Sequence, residues 1–391
     1  MTEPTLPMSP AQQGMYFDSQ LRQSADYHIA IELCTEHLSR SRLTQAVSAV
    51  VAEQPALRAS VARNESGPVY TIAESVEAPV RHHDLTGAEE NLDKIFHTAR
   101  HTPFQLNTAP LFRVVAARLP DGDRLLVVCH HLIADGQSVS ILTDRIIDLA
   151  RGTREITASR TDQGLFTYQN GQLSRPSPET LARRESFWSE NLPRHRIPQL
   201  DHWLLASPHE DAAREFRLTV PRDTAEAVRE TAQEAEVSEF TVYLAAFGAL
   251  LAHYAGEDQV SFASPFMDRP HLEMENSIGC FIRTLPVLID VSPGLRVRDL
   301  LERTRSEVMG LWRNLDFPVA RKLSGLSSAG LFDITFIHDA YPELPEGVRA
   351  ATHPDEVHFP GRLTVTIEQL GDNTDIVIWY KESALTAERA A

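Results

Sequence analysis

The sequence predicts an α/β protein built as two lobes, and three observations carry that expectation. Apolar residues alternating with polar ones, the period of a strand, are interleaved along the chain with apolar residues at helical spacing. A polar, turn-rich stretch over residues 152–180 interrupts this pattern near the middle. The same kinds of element recur on both sides of it in segments of similar size, with no short tandem repeat. A chain of 391 residues, 42% hydrophobic and 23% charged, can bury a sizeable core.

In the first half, "SPAQQGMYFDSQL" (9–21) opens a helix, with Ser9 able to cap and Pro10 suited to the first helical position. "YHIAIELC" (27–34) alternates as a strand. In "SRSRLTQAVSAVVAEQPALRASV" (39–61), Leu43, Ala46, Val47, Val50 and Val51 share a helical face, and the helix ends near Pro55. "PVYTIA" reads as a short strand, and "GAEENLDKIFHTARHTPF" as a helix closed by Pro103. "LFRVVAARLPDGDRLLVVCHH" is a hairpin, two apolar runs around a strong turn signal. "QSVSILTDRIIDLARG" places Val139, Leu142, Ile146 and Leu149 on one helical face, with Gly152 as the stop. In the second half, "ETLARRESFWSENL" is a helix and "AAREFRLTVP" a strand. Residues 224–256 form two helices joined near Val237–Glu239. "DQVSFASPF", "TLPVLIDV", "DITFIHDA", "RLTVTIEQL" and "TDIVIWYK" are strands.

Composition narrows the function. Fifty-four acidic against 37 basic residues leave a net charge of −17, which opposes general binding to nucleic acid or to anionic membranes. Cys34, Cys129 and Cys280 are sparse and widely spaced, giving neither a disulfide framework nor a Cys-x-x-Cys metal pattern, so a reducing, cytoplasmic setting is expected. No signal peptide is recognisable, and no apolar run reaches the length of a membrane span.

The informative stretch is "RLLVVCHHLIADGQSVSIL" (124–142), a strand, a special loop and a helix. Successive strand residues face opposite ways, so His130 and His131 cannot both enter one site while the strand persists. One faces a cleft and the other packs within its lobe. With Asp135 there would be at most three ligands, so no metal site is expected. Imidazole titrates near neutrality and suits proton transfer from an amine or alcohol attacking an activated carbonyl. Asp135 either orients the imidazole or pairs with an arginine to hold the loop. Gly136 permits positive φ and close approach of backbone to substrate. A chance His-His-x-x-x-Asp-Gly is on the order of one in a thousand at typical composition.

This motif, His130-His131-Leu132-Ile133-Ala134-Asp135-Gly136, resembles the core motif of the condensation domains of nonribosomal peptide synthetases and of related acyltransferases with the chloramphenicol acetyltransferase fold. "SPAQQGMYF" resembles the family's S-x-A-Q motif, "EQPALRASVARNESG" its H-x-x-L-R-x-x-F segment, and "LFTYQNGQL" and "RRESFWSENL" the segment linking the lobes. "SIGCFIRTLPVLID" resembles I-G-x-F-V-N-T-L-P-L-R, and "NLDFPVARKL" resembles H-Q-D-x-P-F-E-x-L. The resemblance implies two chloramphenicol acetyltransferase-like lobes, 1–170 and 171–391, in a V with a tunnel between them. It implies a donor thioester on the phosphopantetheine of an acyl or peptidyl carrier protein, or on coenzyme A. The acceptor would be a small amine or alcohol. No cofactor would be permanently bound, and the protein would act as a monomer. His131 would lie beside the reacting amine or hydroxyl, with His130 in support. Asp135 would be structural, paired with Arg58 or Arg63. Ser138, read as capping the following helix, Arg283 and His338 are further candidates for substrate contact.

Four departures qualify the resemblance. Arg283 stands where Asn is usual, able to bind a carboxylate or phosphate or to form an internal ion pair. Gln137 replaces the frequent aromatic after Asp-Gly. "KLSGLSSAGLFD" lacks the arginines of an R-D-x-S-R-x-P-L motif, and the chain ends at "ALTAERAA", short of the family's last helix. With no adenylation or carrier segment and a starting Met1, a free-standing enzyme is expected. The alternatives are an ester-forming or coenzyme A-dependent member, a non-catalytic recruitment domain, or Cys129 as a nucleophile two residues before His131. His82-His83-Asp84 lacks the downstream Asp-Gly and reads as a loop.

Overall fold

The computed structural model describes residues 4–22, 25, 27–65, 67–156, 161–173, 177–195, 198, 213–269, 272–315, 333–341, 344–351, 361–370 and 373–381. In chain order the elements begin with β1 (Thr5–Pro7), α1 (Pro10–Arg22), β2 (His28–Thr35), α2 (Arg40–Glu53), β3 (Ala59–Asn64), β4 (Gly67–Ile72), β5 (Val80–Asp84), α3 (Leu92–His101), β6 (Phe112–Leu119), β7 (Gly122–His130), α4 (Gly136–Arg151) and α5 (Gly164–Leu173). They continue with α6 (Pro178–Asn191), β8 (Ala213–Thr219), α7 (Arg222–Glu234), α8 (Glu239–Ala255), β9 (Gln259–Met267), β10 (Ile282–Asp290), α9 (Val297–Trp312), β11 (Ile334–Tyr341), β12 (Arg349–Ala350), β13 (Leu363–Leu370) and β14 (Asn373–Lys381).

The chain divides into two compact units. The first comprises Met1–Arg175, Arg269–Phe281 and Pro342–Asp355; the second comprises Pro176–Asp268, Ile282–Tyr341 and Glu356–Ala391. Two late segments therefore belong with the N-terminal part, which a change of texture near residue 170 does not reveal.

The first unit holds a five-stranded sheet, β12-β2-β7-β6-β5, and a three-stranded one, β1-β4-β3. Central strand β7 is covered on both faces, so it reads as an apolar run rather than an alternation. Leu125, Val127 and Cys129 join a core with Leu43 and Val47 of α2 and Leu142 and Ile146 of α4. Leu126 and Val128 point the other way, onto Leu92 and Phe96 of α3. Gly122, at φ 153°, closes the β6–β7 hairpin; a Cβ there would lie 2.3 Å from the Thr35 carbonyl oxygen. The cap expected at Ser9 is present. Gln12 N–H donates to Ser9 Oγ while Ser9 N–H donates to Gln12 Oε1, a reciprocal box. Ser39 caps α2.

His82-His83-Asp84, read from sequence as a loop, lies on β5, paired in parallel with β6 at the sheet edge. An edge strand needs few apolar residues, and this one carries mostly polar ones, so alternation gave no signal. The two-residue β12 and three-residue β1 are likewise too short to announce themselves.

In the second unit a six-stranded sheet runs β10-β9-β11-β13-β14-β8, with β11 parallel to β9 and β13 and the other pairs antiparallel. Phe247 of α8 meets Phe262 and Phe336 on the sheet at ring-centre distances of 4.9 and 5.2 Å. "KLSGLSSAGLFD" up to its last residue, most of "NLDFPVARKL" and the terminal "ALTAERAA" lie outside the described residues. No single described helix is long and apolar enough to cross a membrane.

Helix α8 approaches β10 through Gly248, where a Cβ would sit 2.6 Å from Ile289 side-chain atoms. Alanine in a helix interior normally gains about 1 kcal/mol over glycine; overpacking costs about 1–3 kcal/mol. Gly248→Ala is therefore expected to lower stability in urea unfolding despite its better helix propensity.

Candidate active site

Strand β7 ends at His130, residues 131–133 form a turn, and α4 starts at Gly136. This break separates the two histidines. His130 sits opposite His28 in the β2–β7 ladder and is 3% exposed, against the rings of Tyr27, His28 and Phe104. Its Nδ1 accepts the Leu132 N–H at 3.1 Å, which leaves the proton on Nε2, 3.5 Å from Ser19 Oγ. Burial first, then the neighbouring His28 and His131, push its pKa down to about 3. His28, whose Nδ1 donates to the Arg100 carbonyl at 2.6 Å, is held to about 4, chiefly by burial. His130 is thus a neutral packing and hydrogen-bonding group.

His131 is half-buried in the turn, and its backbone N–H donates to the Tyr27 carbonyl at 2.7 Å. Its ring presents Nδ1 to Cys280 Sγ at 3.9 Å. Among the described residues Nε2 has no hydrogen-bond partner. Burial lowers the pKa, while Asp135 and the nearby backbone of His131 and Ala134 oppose that shift. The result is an imidazole that is neutral near pH 7 with one nitrogen open.

Asp135 is 1% exposed and fully engaged. It caps α4, Oδ1 accepting from Ser138 N–H at 2.8 Å; Oδ2 accepts from Phe281 N–H at 2.9 Å. Its ionic partner is Arg269, Nη2 to Oδ1 at 3.1 Å. Neither Arg58 nor Arg63 plays that part. Arg58 is buried but donates to the carbonyls of Val51, Ala73 and Glu74, tying α2 to the chain after β4. Arg63 is exposed near the end of β3. Arg269 also donates through Nη1 to the carbonyls of Met274 and Ser277 and through Nη2 to Ser138 Oγ, its guanidinium 4.5 Å above the Phe281 ring.

Ser138 lies in the first turn of α4, inside the cap rather than at it. Its hydroxyl donates to the Gly279 carbonyl at 2.8 Å and accepts the Gly279 N–H at 3.1 Å as well as Arg269. With no exposure and those partners, it holds the loop rather than a substrate. Gly136 is the first helical residue and is not among the positive-φ glycines, so the positive φ that glycine permits is not used there. The glycine that close approach demands is Gly279, where a Cβ would lie 2.3 Å from the Phe281 ring.

Arg283 and His338 belong to the second unit. Arg283 is 7% exposed and its Nε meets Asp268 Oδ2 at 2.9 Å, an internal ion pair between β10 and the end of β9. His338 stacks near Phe240 and Tyr243 of α8, and its Nε2 is 3.0 Å from Gln369 Oε1, whose amide donates to Glu239. Cys129 is fully buried and its thiol is pushed up to about 12 by burial, which removes it as a nucleophile. Among the described residues no group of three or more His, Cys, Asp or Glu is arranged to hold a metal ion.

A family model, the Condensation domain, matches residues 2–356. The chain belongs to the Condensation domain family. Among its relatives, tyrocidine synthase 3 of Brevibacillus parabrevis is 28% identical over 348 residues, which cover 84% of this chain and 5% of that protein. The phosphinothricin tripeptide synthetase PhsC of Streptomyces viridochromogenes is 26% identical over 397 residues, covering 92% of this chain and 36% of that protein. This condensation domain thus spans well under two thirds of the relatives it matches. Among solved structures, the first condensation domain of the calcium-dependent antibiotic synthetase, in complex with a substrate analogue, superposes with a TM-score of 0.83 at 17% identity, covering all of this chain and 93% of that one. The fold is that of condensation domains, the two-lobed chloramphenicol acetyltransferase-like architecture.

The segment "SIGCF" was legible as a motif, but the contacts that tie it to the first unit were not. Gln54 accepts the Ile278 N–H and Gln12 donates to the Cys280 carbonyl, at 3.0 and 3.2 Å. These partners, like Arg269, are far off in sequence and carry no local signal. The pairing has a direct test. In double-mutant cycles for stability, Asp135 and Arg269 are expected to couple by more than about 1 kcal/mol, and Asp135 and Arg58 by no more than about 0.5 kcal/mol.

Proposed function

We propose that this domain transfers an acyl or aminoacyl group from a carrier-protein phosphopantetheine thioester to an amine, forming an amide in nonribosomal peptide or related biosynthesis. The observation that carries the reading is the division of roles within one motif. His130 and Asp135 are buried and committed to internal partners, whereas His131 alone keeps an open nitrogen. Peptide synthetases among the relatives, one described as a tripeptide synthetase, favour the amine as acceptor over an alcohol.

In the proposed step the amine nitrogen attacks the thioester carbonyl carbon as His131 Nε2 takes the amine proton. The resulting imidazolium returns that proton to the departing sulfur, so the C–S bond breaks, the C–N bond forms and the carrier leaves as a free thiol. Nothing in this step requires a resident cofactor. Asp135 contributes by fixing the loop that presents His131.

His131→Ala is expected to reduce product formation by about 10²–10⁴-fold with an unchanged circular dichroism spectrum. The readout is intact-mass analysis of an acyl-loaded carrier incubated with candidate amines and alcohols. Full activity of the variant would reject the base; turnover with alcohols alone would reject the amide. Because the base must be neutral and burial lowers its pKa from 6.5, kcat/KM expressed per unprotonated amine is expected to fall at low pH with a midpoint below 6.5.

A further inference from the structure

We propose that Cys280 is a positioning residue for His131, its sulfur accepting the Nδ1–H and thereby helping to keep Nε2 unprotonated. The inference rests on His131 acting as the base. The contact itself is 3.9 Å between Sγ and Nδ1, at a cysteine that is 2% exposed and so shielded from competing water.

The direction of this hydrogen bond follows from the role proposed for the ring. A neutral imidazole has one N–H, and its other nitrogen is an acceptor. If Nε2 is to take the proton of the incoming nucleophile, the hydrogen sits on Nδ1, and the sulfur 3.9 Å from it then accepts. The tautomer of an imidazole is set by what its other nitrogen bonds; here that contact favours an Nε2 lone pair left for the nucleophile.

The sulfur is held in place by its own backbone. Ile278 N–H is bound by Gln54, the Gly279 N–H and carbonyl by Ser138, the Cys280 carbonyl by Gln12, and the Phe281 N–H by Asp135. Four consecutive residues are thus pinned from four elements or loops of the first unit, and Cys280 cannot shift without breaking them. The I-G-x-F pattern leaves this position open, so the contact is a property of this chain's own residue.

The test combines long-range ¹H–¹⁵N spectra of the ¹⁵N-histidine-labelled domain with steady-state kinetics on an acyl-loaded carrier. His131→Ala identifies the His131 signals among those of the 16 histidines. The wild type is expected to show a protonated Nδ1 and an unprotonated Nε2. Cys280→Ala should mix the tautomers and lower kcat about 3- to 10-fold with KM within about two-fold, and Cys280→Ser, which keeps an acceptor, should restore both. An unprotonated Nδ1 in the wild type, or unchanged spectra and kcat in Cys280→Ala, would overturn the inference. Loss of activity in His131→Ala alongside a silent Cys280→Ala would leave the base in place and remove only the role of the thiol; full activity of His131→Ala would remove the base itself.

Discussion

A carboxylate with 1% of its surface in water is tolerable only where hydrogen bonds and a counter-charge replace its hydration. Asp135 has all of these: two backbone N–H donors, from Ser138 and Phe281, and the Arg269 guanidinium. One donor belongs to the first turn of α4, where a negative charge is also favoured by the helix dipole. The other two lie at the two ends of the 269–281 segment. Burying this single charge therefore forces a distant piece of chain into the first unit, at the place where the histidine loop turns. Removing one partner would strand the other charge, at a cost typical of buried pairs, about 3–5 kcal/mol.

From that constraint the asymmetry of the histidine pair follows. Strand β7 delivers His130 onto the α3 face, among aromatic rings and the half-buried His28. The chain then leaves strand geometry, and His131 emerges in a turn whose exit is locked by the Asp135 cap. Both imidazoles are kept neutral by burial, but for different ends. In His130 the state completes a packed cluster; in His131 it provides a lone pair. The same locked segment carries Cys280 to the back of the His131 ring, so the fold that satisfies the carboxylate also shapes the environment of the base.

Much of this was readable from residue spacing. The inward residues of α2 and α4 are those that their helical periodicity named, and the hairpin and the strand–loop–helix context of the motif appear as expected. Local chemistry was sufficient there because each element is defined by neighbours a few positions apart. What was not readable depends on long separations. Arg269 lies 134 residues from Asp135, whereas the expected partners, Arg58 or Arg63, lie elsewhere: Arg58 satisfies backbone carbonyls and Arg63 is exposed. The role of Ser138 and the need for glycine at 279 rather than 136 follow from the same unseen contact. Arg283, unusual at its position, is neutralised by Asp268 fifteen residues before it, a pairing across a strand hairpin that spacing alone does not disclose.

The central claim, that the buried Asp135–Arg269 pair pins the segment presenting the base, is tested most directly by native-state hydrogen exchange read by mass spectrometry. In the wild type the 277–281 peptide should be protected to the level of β7. In Arg269→Ala its exchange should rise selectively, while peptides from α8 and β9 keep their protection. Unchanged protection of 277–281 in that variant would contradict the account.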